Sequence, residues 1–223
     1  ELHRQGGEFM FVANCMTKNP VTIAPDAGLD EAAKLMKSGH FRRLPVISHG
    51  NLVGLFTNRD LLSVSPSAAT TLDRFEERTL LSKVKVADVM QKEVITVTDE
   101  MTVEEAALIM SREKIGGMPV LSKVGALVGI ITSTDILNAF ITIMGLDSGR
   151  TRLTLDVTDR KGVLRDISTI FSEHDISIDS MVTMPRPDGT YQLVIRIDAS
   201  DIDDVKEQLS AKGFHITSTT QIG

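Results

Sequence analysis

Gly129-Ile130-Ile131-Thr132-Ser133-Thr134-Asp135-Ile136-Leu137 is written twice in this chain, the earlier copy being Gly54-Leu55-Phe56-Thr57-Asn58-Arg59-Asp60-Leu61-Leu62. Each copy opens as an apolar run of strand character and breaks at a Thr that can cap the helix after it. An Asp follows three residues past that Thr, in the first helical turn. A hydroxyl and a carboxylate one turn apart, beside free backbone N–H groups, suit a phosphate and a ribose. The N–H groups and the hydroxyl would hydrogen-bond the phosphate, and the helix dipole favours its charge. The Asp is acceptor-only and can take both ribose hydroxyls. One such turn alone would read as an ordinary N-cap; the duplication turns it into a site.

The repeat is long. Met16 recurs as Met90, Thr22 as Thr96, Asp30-Glu31-Ala32-Ala33 as Glu104-Glu105-Ala106-Ala107, and Pro45-Val46 as Pro119-Val120. These pairs lie 74 residues apart, and the Thr-x-x-Asp pair 75. A near-constant offset over so long a span means two copies of one folding unit. A unit of this size is marginal alone, so two copies packed through their sheets bury both faces.

The composition narrows the class. With 42% hydrophobic and 24% charged residues, the chain reads as an ordinary globular protein. A net charge of -6 opposes a nucleic-acid-coating surface, which needs a basic stripe. The single Cys15 excludes a disulfide framework and a Cys-rich metal site. No apolar run is long enough to span a membrane, and no secretory leader is evident, so the cytoplasm is expected. Residues 1–9 read as a vector remnant, with Met10 as the expected native start.

Residues 10–63 form the first unit. Val21-Thr22-Ile23 is a short strand, and Leu29, Ala32, Ala33 and Met36 recur at helical spacing before Gly39 stops the helix. Leu44-Pro45-Val46-Ile47 and Leu52-Val53-Gly54-Leu55-Phe56 pair about a His49-Gly50-Asn51 turn, and a helix from Arg59 closes a β-α-β-β-α order. Residues 64–85 join the units through a loop and a charged, exposed helix over 72–81. Residues 86–147 repeat the order, with Val94-Ile95-Thr96-Val97 as strand and Val103 to Met110 as amphipathic helix.

From Arg150 the pattern changes. Residues 150–223 give a strand at Leu153–Val157, a helix face of Val163, Leu164, Ile167, Ile170 and Phe171, and a hairpin about Arg186-Pro187-Asp188-Gly189. A helix from Asp201 capped by Ser200 and a strand at His215-Ile216-Thr217 complete β-α-β-β-α-β, a ferredoxin-like arrangement. The chain is therefore α/β (α+β), and the free face of this last sheet calls for a partner.

The doubled unit resembles a tandem CBS-domain pair, or Bateman module, through Cys15-Met16-Thr17, Arg43-Leu44-Pro45-Val46, Gly54 to Asp60 and their counterparts. The last segment resembles an ACT domain through Asp159-Arg160-Lys161-Gly162-Val163-Leu164. The combination is similar to the acetoin-utilisation regulatory proteins of bacteria. The resemblance implies adenine-nucleotide or other adenosyl ligands (AMP- or ATP-like) in the CBS clefts and amino-acid-type ligands at ACT interfaces. It assigns Thr57 and Thr132 to phosphate, with Asn58, Arg59, Ser133 and Thr134 beside them, and Asp60 and Asp135 to ribose. Thr22-Ile23 and Thr96-Val97 would line the adenine, with Leu44-Pro45 and Met118-Pro119. In the ACT segment it points to Asp159, Lys161, Gly162, Val163 and Leu164.

The two clefts are expected to differ. Arg42-Arg43 stands where family members often hold a basic pair for phosphate, and the second copy has Gly116-Gly117 there. Charge-assisted bonds from Arg are each worth about 1.5–3 kcal/mol. The Arg cleft should therefore prefer a phosphorylated nucleotide and the Gly cleft should bind more weakly.

Nothing points to catalysis or metal binding. Cys15 has no identifiable His partner, His40, His49, His174 and His215 lack metal-ligand spacing, and no phosphate-binding loop of the nucleoside-triphosphatase type is present. The Met residues read as packing. The expected protein is a non-catalytic homodimeric sensor, requiring no cofactor, whose regulatory ligand is an adenine nucleotide. The ACT segment would dimerise or sense an amino acid. The alternative is a structural scaffold with unoccupied clefts.

Overall fold

The computed structural model describes residues 10–64, 74–146, 151–158 and 160–221. The chain divides into an N-terminal unit, Glu1–Ala139, and a C-terminal unit, Phe140–Gly223.

The N-terminal unit holds the repeats as far as Ala139, within the last helix of the second. The first contributes α1 (Val12–Cys15), β1 (Thr17–Lys18), α2 (Leu29–Gly39), β2 (Arg43–Ser48), β3 (Asn51–Thr57) and α3 (Asn58–Val64). After α4 (Arg74–Lys83) the second contributes α5 (Val86–Val89), β4 (Val97–Thr98), α6 (Val103–Glu113), β5 (Gly117–Leu121), β6 (Leu127–Thr132) and α7 (Ser133–Ile143). The expected β-α-β-β-α order is present in both.

Leu29, Ala32 and Met36 put α2 onto β2 and β3, and Val103, Ala106 and Met110 put α6 onto the second sheet. Thr102 caps α6 reciprocally: its hydroxyl accepts from the Glu105 amide at 3.3 Å, and the Glu105 carboxylate accepts from the Thr102 amide at 3.0 Å. The helix α4 is not simply exposed, because Leu81 is buried in the first core with Leu44 and Phe56. The strand expected at Val21–Ile23 reduces to one parallel bridge, Ile23 to Val46. Its counterpart is the two-residue β4, parallel to β5.

The repeats exchange their lead-ins. Thr17 and Lys18 of β1 pair antiparallel with Ile130 and Gly129 of β6, so the second sheet runs β1-β6-β5-β4. Reciprocally, Gln91 bridges Leu55 of β3. The apolar anchors follow: Val12 is buried in the second core and Val86 in the first. The thioethers of Met16 and Met90 occupy the space a Cβ would take at Gly129 and Gly54 respectively. That Cβ would also stand 3.1 Å from the Thr17 carbonyl oxygen at Gly129, and 3.0 Å from that of Gln91 at Gly54. Gly54→Ala and Gly129→Ala should each therefore destabilise the protein by about 1–3 kcal/mol through overpacking. Urea titration followed by circular dichroism checks this, and a neutral or stabilising effect would show the lead-ins to be loosely held.

The C-terminal unit contains β7 (Thr151–Thr158), α8 (Val163–Glu173), β8 (Ile178–Pro185), β9 (Thr190–Ile197), α9 (Asp203–Ala211) and β10 (His215–Gln221). Its antiparallel sheet has the order β10-β7-β9-β8 of a ferredoxin-like fold. Alternate residues Leu153, Leu155, Leu193, Ile195 and Ile197 face Ile167, Ile170, Phe171, Val205 and Leu209 of the helices. On the other face Ser180 Oγ donates to the Met144 carbonyl at 2.7 Å. Ser200 does not cap α9: the helix starts after Ile202 without a side-chain cap, and the Ser200 carbonyl instead accepts from Gln221.

Candidate functional site

The duplicated turns are braced from within. Thr57 donates its amide and its hydroxyl to Asp60 Oδ2 at 2.8 and 2.7 Å, and Thr132 does the same to Asp135 Oδ2 at 2.7 and 2.8 Å. The next amides are also engaged: Asn58 N–H donates to the Arg42 carbonyl at 3.0 Å, and Ser133 N–H to the Gly116 carbonyl at 3.1 Å. The amides and hydroxyls of Thr57 and Thr132 are thus taken by the Asp three residues on, and the next amides by backbone carbonyls, so these expected donors are engaged within the fold. Each Asp keeps Oδ1 outside these two bonds. Neither Asp is among the residues lining a cleft.

Two clefts open where the repeats meet, and each is built from both. The larger, about 670 Å³, is lined by Thr17, Asn19, Pro20 and Val21 from the first lead-in and by His40, Phe41, Arg42 and Arg43 ahead of and within β2. The second repeat supplies Gly116, Ile130, Thr132, Ser133 and Thr134. The smaller, about 180 Å³, takes Leu55, Thr57, Asn58, Arg59, Arg42 and Arg43 from the first repeat. Gln91, Lys114, Ile115, Gly116 and Gly117 complete it from the second.

This changes the expected division of charge. Arg42, Arg43 and Gly116 line both clefts, so there is no separate Arg cleft and Gly cleft. The cause is the missing side chain: the Arg43 guanidinium lies where a Cβ of Gly116 would stand, and its Cδ and Nε come within 3.3 Å of one at Gly117. Burial, then Arg42 and Arg59, pull the Arg43 guanidinium below its ordinary range.

The residues expected at the adenine are not among those lining these two clefts. Ile23, Val97, Leu44, Pro45, Met118 and Pro119 are buried, and neither Thr22 nor Thr96 lines a cleft. The apolar lining includes Val21 and Phe41, 40% and 38% exposed, with Pro20 and Ile130. Gly39 explains Phe41: the ring folds back over the glycine into the space of a Cβ, and the left-handed His40 at φ 53° turns the chain to let it do so. A glycine two residues before an aromatic at a helix end was the signal available in the sequence.

In the C-terminal unit a pocket of about 400 Å³ includes Gly162, Val163 and Leu164, with Arg160, Arg165, Thr183 and Tyr191 among its walls. Lys161 is not a lining residue, and Asp159 lies outside the described residues. Gly162 opens α8 at φ 89°, a conformation that favours glycine. Arg160 donates to Asp166 Oδ2 at 2.8 Å, and hydrogen bonds from Arg160 and Arg165 hold the Asp166 carboxyl below its ordinary range.

Among the described residues no group of three or more His, Cys, Asp or Glu side chains could hold a metal ion, and no helix is long and apolar enough to cross a membrane. Burial, with Asp135 and Glu104, raises the Cys15 thiol above its ordinary range, the opposite of a reactive thiolate.

Comparison with known proteins gives matches over most of the chain. The model of the CBS domain matches residues 12–67 and 86–142, and that of the ACT domain residues 151–214. A CBS domain-containing protein of Dictyostelium discoideum is 35% identical over 136 residues, 60% of this chain and 94% of its own length. An inosine-5'-monophosphate dehydrogenase of Korarchaeum cryptofilum is 36% identical over 119 residues, 53% of this chain but 22% of the enzyme. A solved Vibrio cholerae structure assigned to acetoin utilization (AcuB) has a TM-score of 0.51 and 29% identity, over 62% of this chain and 95% of that one.

Proposed function

The chain belongs to the CBS-domain family, carrying two CBS domains ahead of an ACT domain, and from that premise we propose that it is a non-catalytic regulatory protein that binds an adenine nucleotide in its larger cleft. The observation that carries this reading is the lining of that cleft. Val21, Phe41 and Ile130 offer apolar and aromatic surface for a purine, and Arg42, Arg43, Ser133 and Thr134 offer cations and hydroxyls for phosphate. Its volume of about 670 Å³ falls within the range of about 300–1,000 Å³ usual for small-molecule sites. Because both repeats contribute walls, a ligand there would favour one packing of the repeats over others, the minimum a sensor needs. The pocket at Gly162–Leu164 supports an amino-acid-type ligand in the ACT domain, which would make the protein sensitive to two metabolite classes.

A thermal-shift and calorimetric screen with AMP, ATP, S-adenosylmethionine, NAD and the amino acids tests the reading. A ligand at a hundred times its Kd should stabilise the fold by about 2.7 kcal/mol. The expected result is a clear shift with at least one adenosine compound. No shift with any of them would leave a scaffold with empty clefts.

A further inference from the structure

The face of the C-terminal sheet turned away from α8 and α9 carries two facing cations. In the register of the sheet Arg152 of β7 stands opposite Arg196 of β9, flanked by Thr220 of β10 and Ser180 of β8. Their neighbours Leu153, Ile195 and Ile197 pack into the helix-covered core, so alternation puts this row on the other side. Side chains directly opposite on one face stand about 4.5–5.5 Å apart at Cβ, and like charges there repel. Arg196 is 8% exposed, and its Nε is buried without a hydrogen-bond partner. Arg152 is half-buried and donates to the Thr154 hydroxyl at 2.8 Å. Neither arginine has an ion-pair partner among the described residues. Other polar groups of this face are committed: Arg186 and Gln192 donate to Asp156 at 2.8 and 3.4 Å, and the Ser180 hydroxyl donates to the Met144 carbonyl.

A buried cation without a counter-ion is costly to a fold, and a second cation opposite raises the cost. We propose that Arg152 and Arg196 form a binding site for a small dianion, a phosphate or a short dicarboxylate, whose oxygens span the two guanidinium groups. Each guanidinium is a planar fork of N–H donors matched to the paired oxygens of such an anion. The half-buried Arg152 gives the side of approach, and the exposed Thr220 hydroxyl stands next in the row as a further donor. The site is separate from the pocket at Gly162, which lies at the opposite end of β7 beside Val157 and Thr158. A second copy of this face is the wrong occupant, because it would set four guanidinium groups together.

The dianion site does not depend on nucleotide binding. Its test is urea unfolding of the full chain, followed by the fluorescence of Tyr191 in β9, in inorganic phosphate, in succinate and in sodium chloride of equal ionic strength. The expected result is that phosphate or succinate moves the Tyr191 transition to higher urea than chloride does, in a saturable way. The anion that acts assigns the class. In Arg152→Gln and in Arg196→Met its apparent affinity should fall by about tenfold or more, the worth of one charge-assisted contact. Arg43→Ala, which alters the N-terminal unit alone, should keep the full response. Arg152→Gln retains a polar side chain at a half-buried position, so it carries the test even if Arg196→Met fails to fold. No shift beyond chloride with either anion would overturn the site. So would a response that survives Arg152→Gln, or one that disappears in Arg43→Ala instead.

Discussion

Phe56→Ala should remove about 3–5 kcal/mol from the N-terminal unit, the cost of emptying a buried aromatic site. Phe56 is fully buried at the centre of the first core, among Leu44, Val46, Met36 and Leu81. It sits in β3 beside Leu55, whose other neighbour is the exchanged Gln91, and it precedes Thr57 at the cleft. A cavity there loosens the strand that presents Thr57, Asn58 and Arg59, so nucleotide affinity should fall together with stability. The readout can be resolved by unit. The chain has one Tyr and no Trp, and Tyr191 lies in β9. Its fluorescence reports the C-terminal unit, while circular dichroism reports both. The expected urea titration moves the circular-dichroism transition to lower denaturant. A loss under about 1 kcal/mol would mean that the first core collapses around the gap, and that its packing does not fix the cleft.

The equivalent position in the second repeat is Ile131, also fully buried, 75 residues on. That correspondence shows why the architecture was legible in the residues. Two copies of an apolar run ending in Thr-x-x-Asp, each preceded by a Pro-Val strand and an amphipathic helix, leave few alternatives to a repeated β-α-β-β-α unit. The alternation of Leu153, Leu155 and Val157 and of Leu193, Ile195 and Ile197 made the last sheet equally plain.

The lead-in exchange was not legible. Cys15-Met16-Thr17 and Val89-Met90-Gln91 carry no local feature saying which repeat they join, because a two-residue pairing is chosen by tertiary packing. Gly54 and Gly129 held the clue, since each leaves room for the Met of the other repeat's lead-in. Missing that exchange, a reading of each copy alone gives each cleft its own Arg or Gly pair. It also passes over Asn19, Val21, Phe41, Gln91 and Lys114, which reach the clefts only when the copies interlock. Ile23 and Val97, expected at the ligand, are buried in the cores of their own repeats, where Ile23 bridges Val46 and Val97 pairs with Val120. Val21 and Thr22 are exposed and Ile23 is buried, so the apolar residue that lines the cleft precedes the conspicuous Thr22.

Arg43→Glu should give the largest functional loss, weakening AMP and ATP by about a hundredfold. The lost contact is worth about 1.5–3 kcal/mol, and a carboxylate in its place adds repulsion to the phosphate. The stability outcome separates this from a structural role. The Arg43 cation is disfavoured where it stands, by burial and by Arg42 and Arg59, and it has no ion-pair partner among the described residues. A group held at a cost to the empty fold is best explained by what it binds. Arg43→Ala should therefore leave the apo protein as stable as before or slightly more so, while AMP affinity falls by about tenfold or more. Raising the salt concentration should weaken nucleotide binding to the parent protein and change little in Arg43→Ala, since the screened attraction is already gone. If the apo protein lost more than about 1 kcal/mol while AMP affinity held, Arg43 would be a strut between β2 and β5 and the phosphate would have to be bound elsewhere.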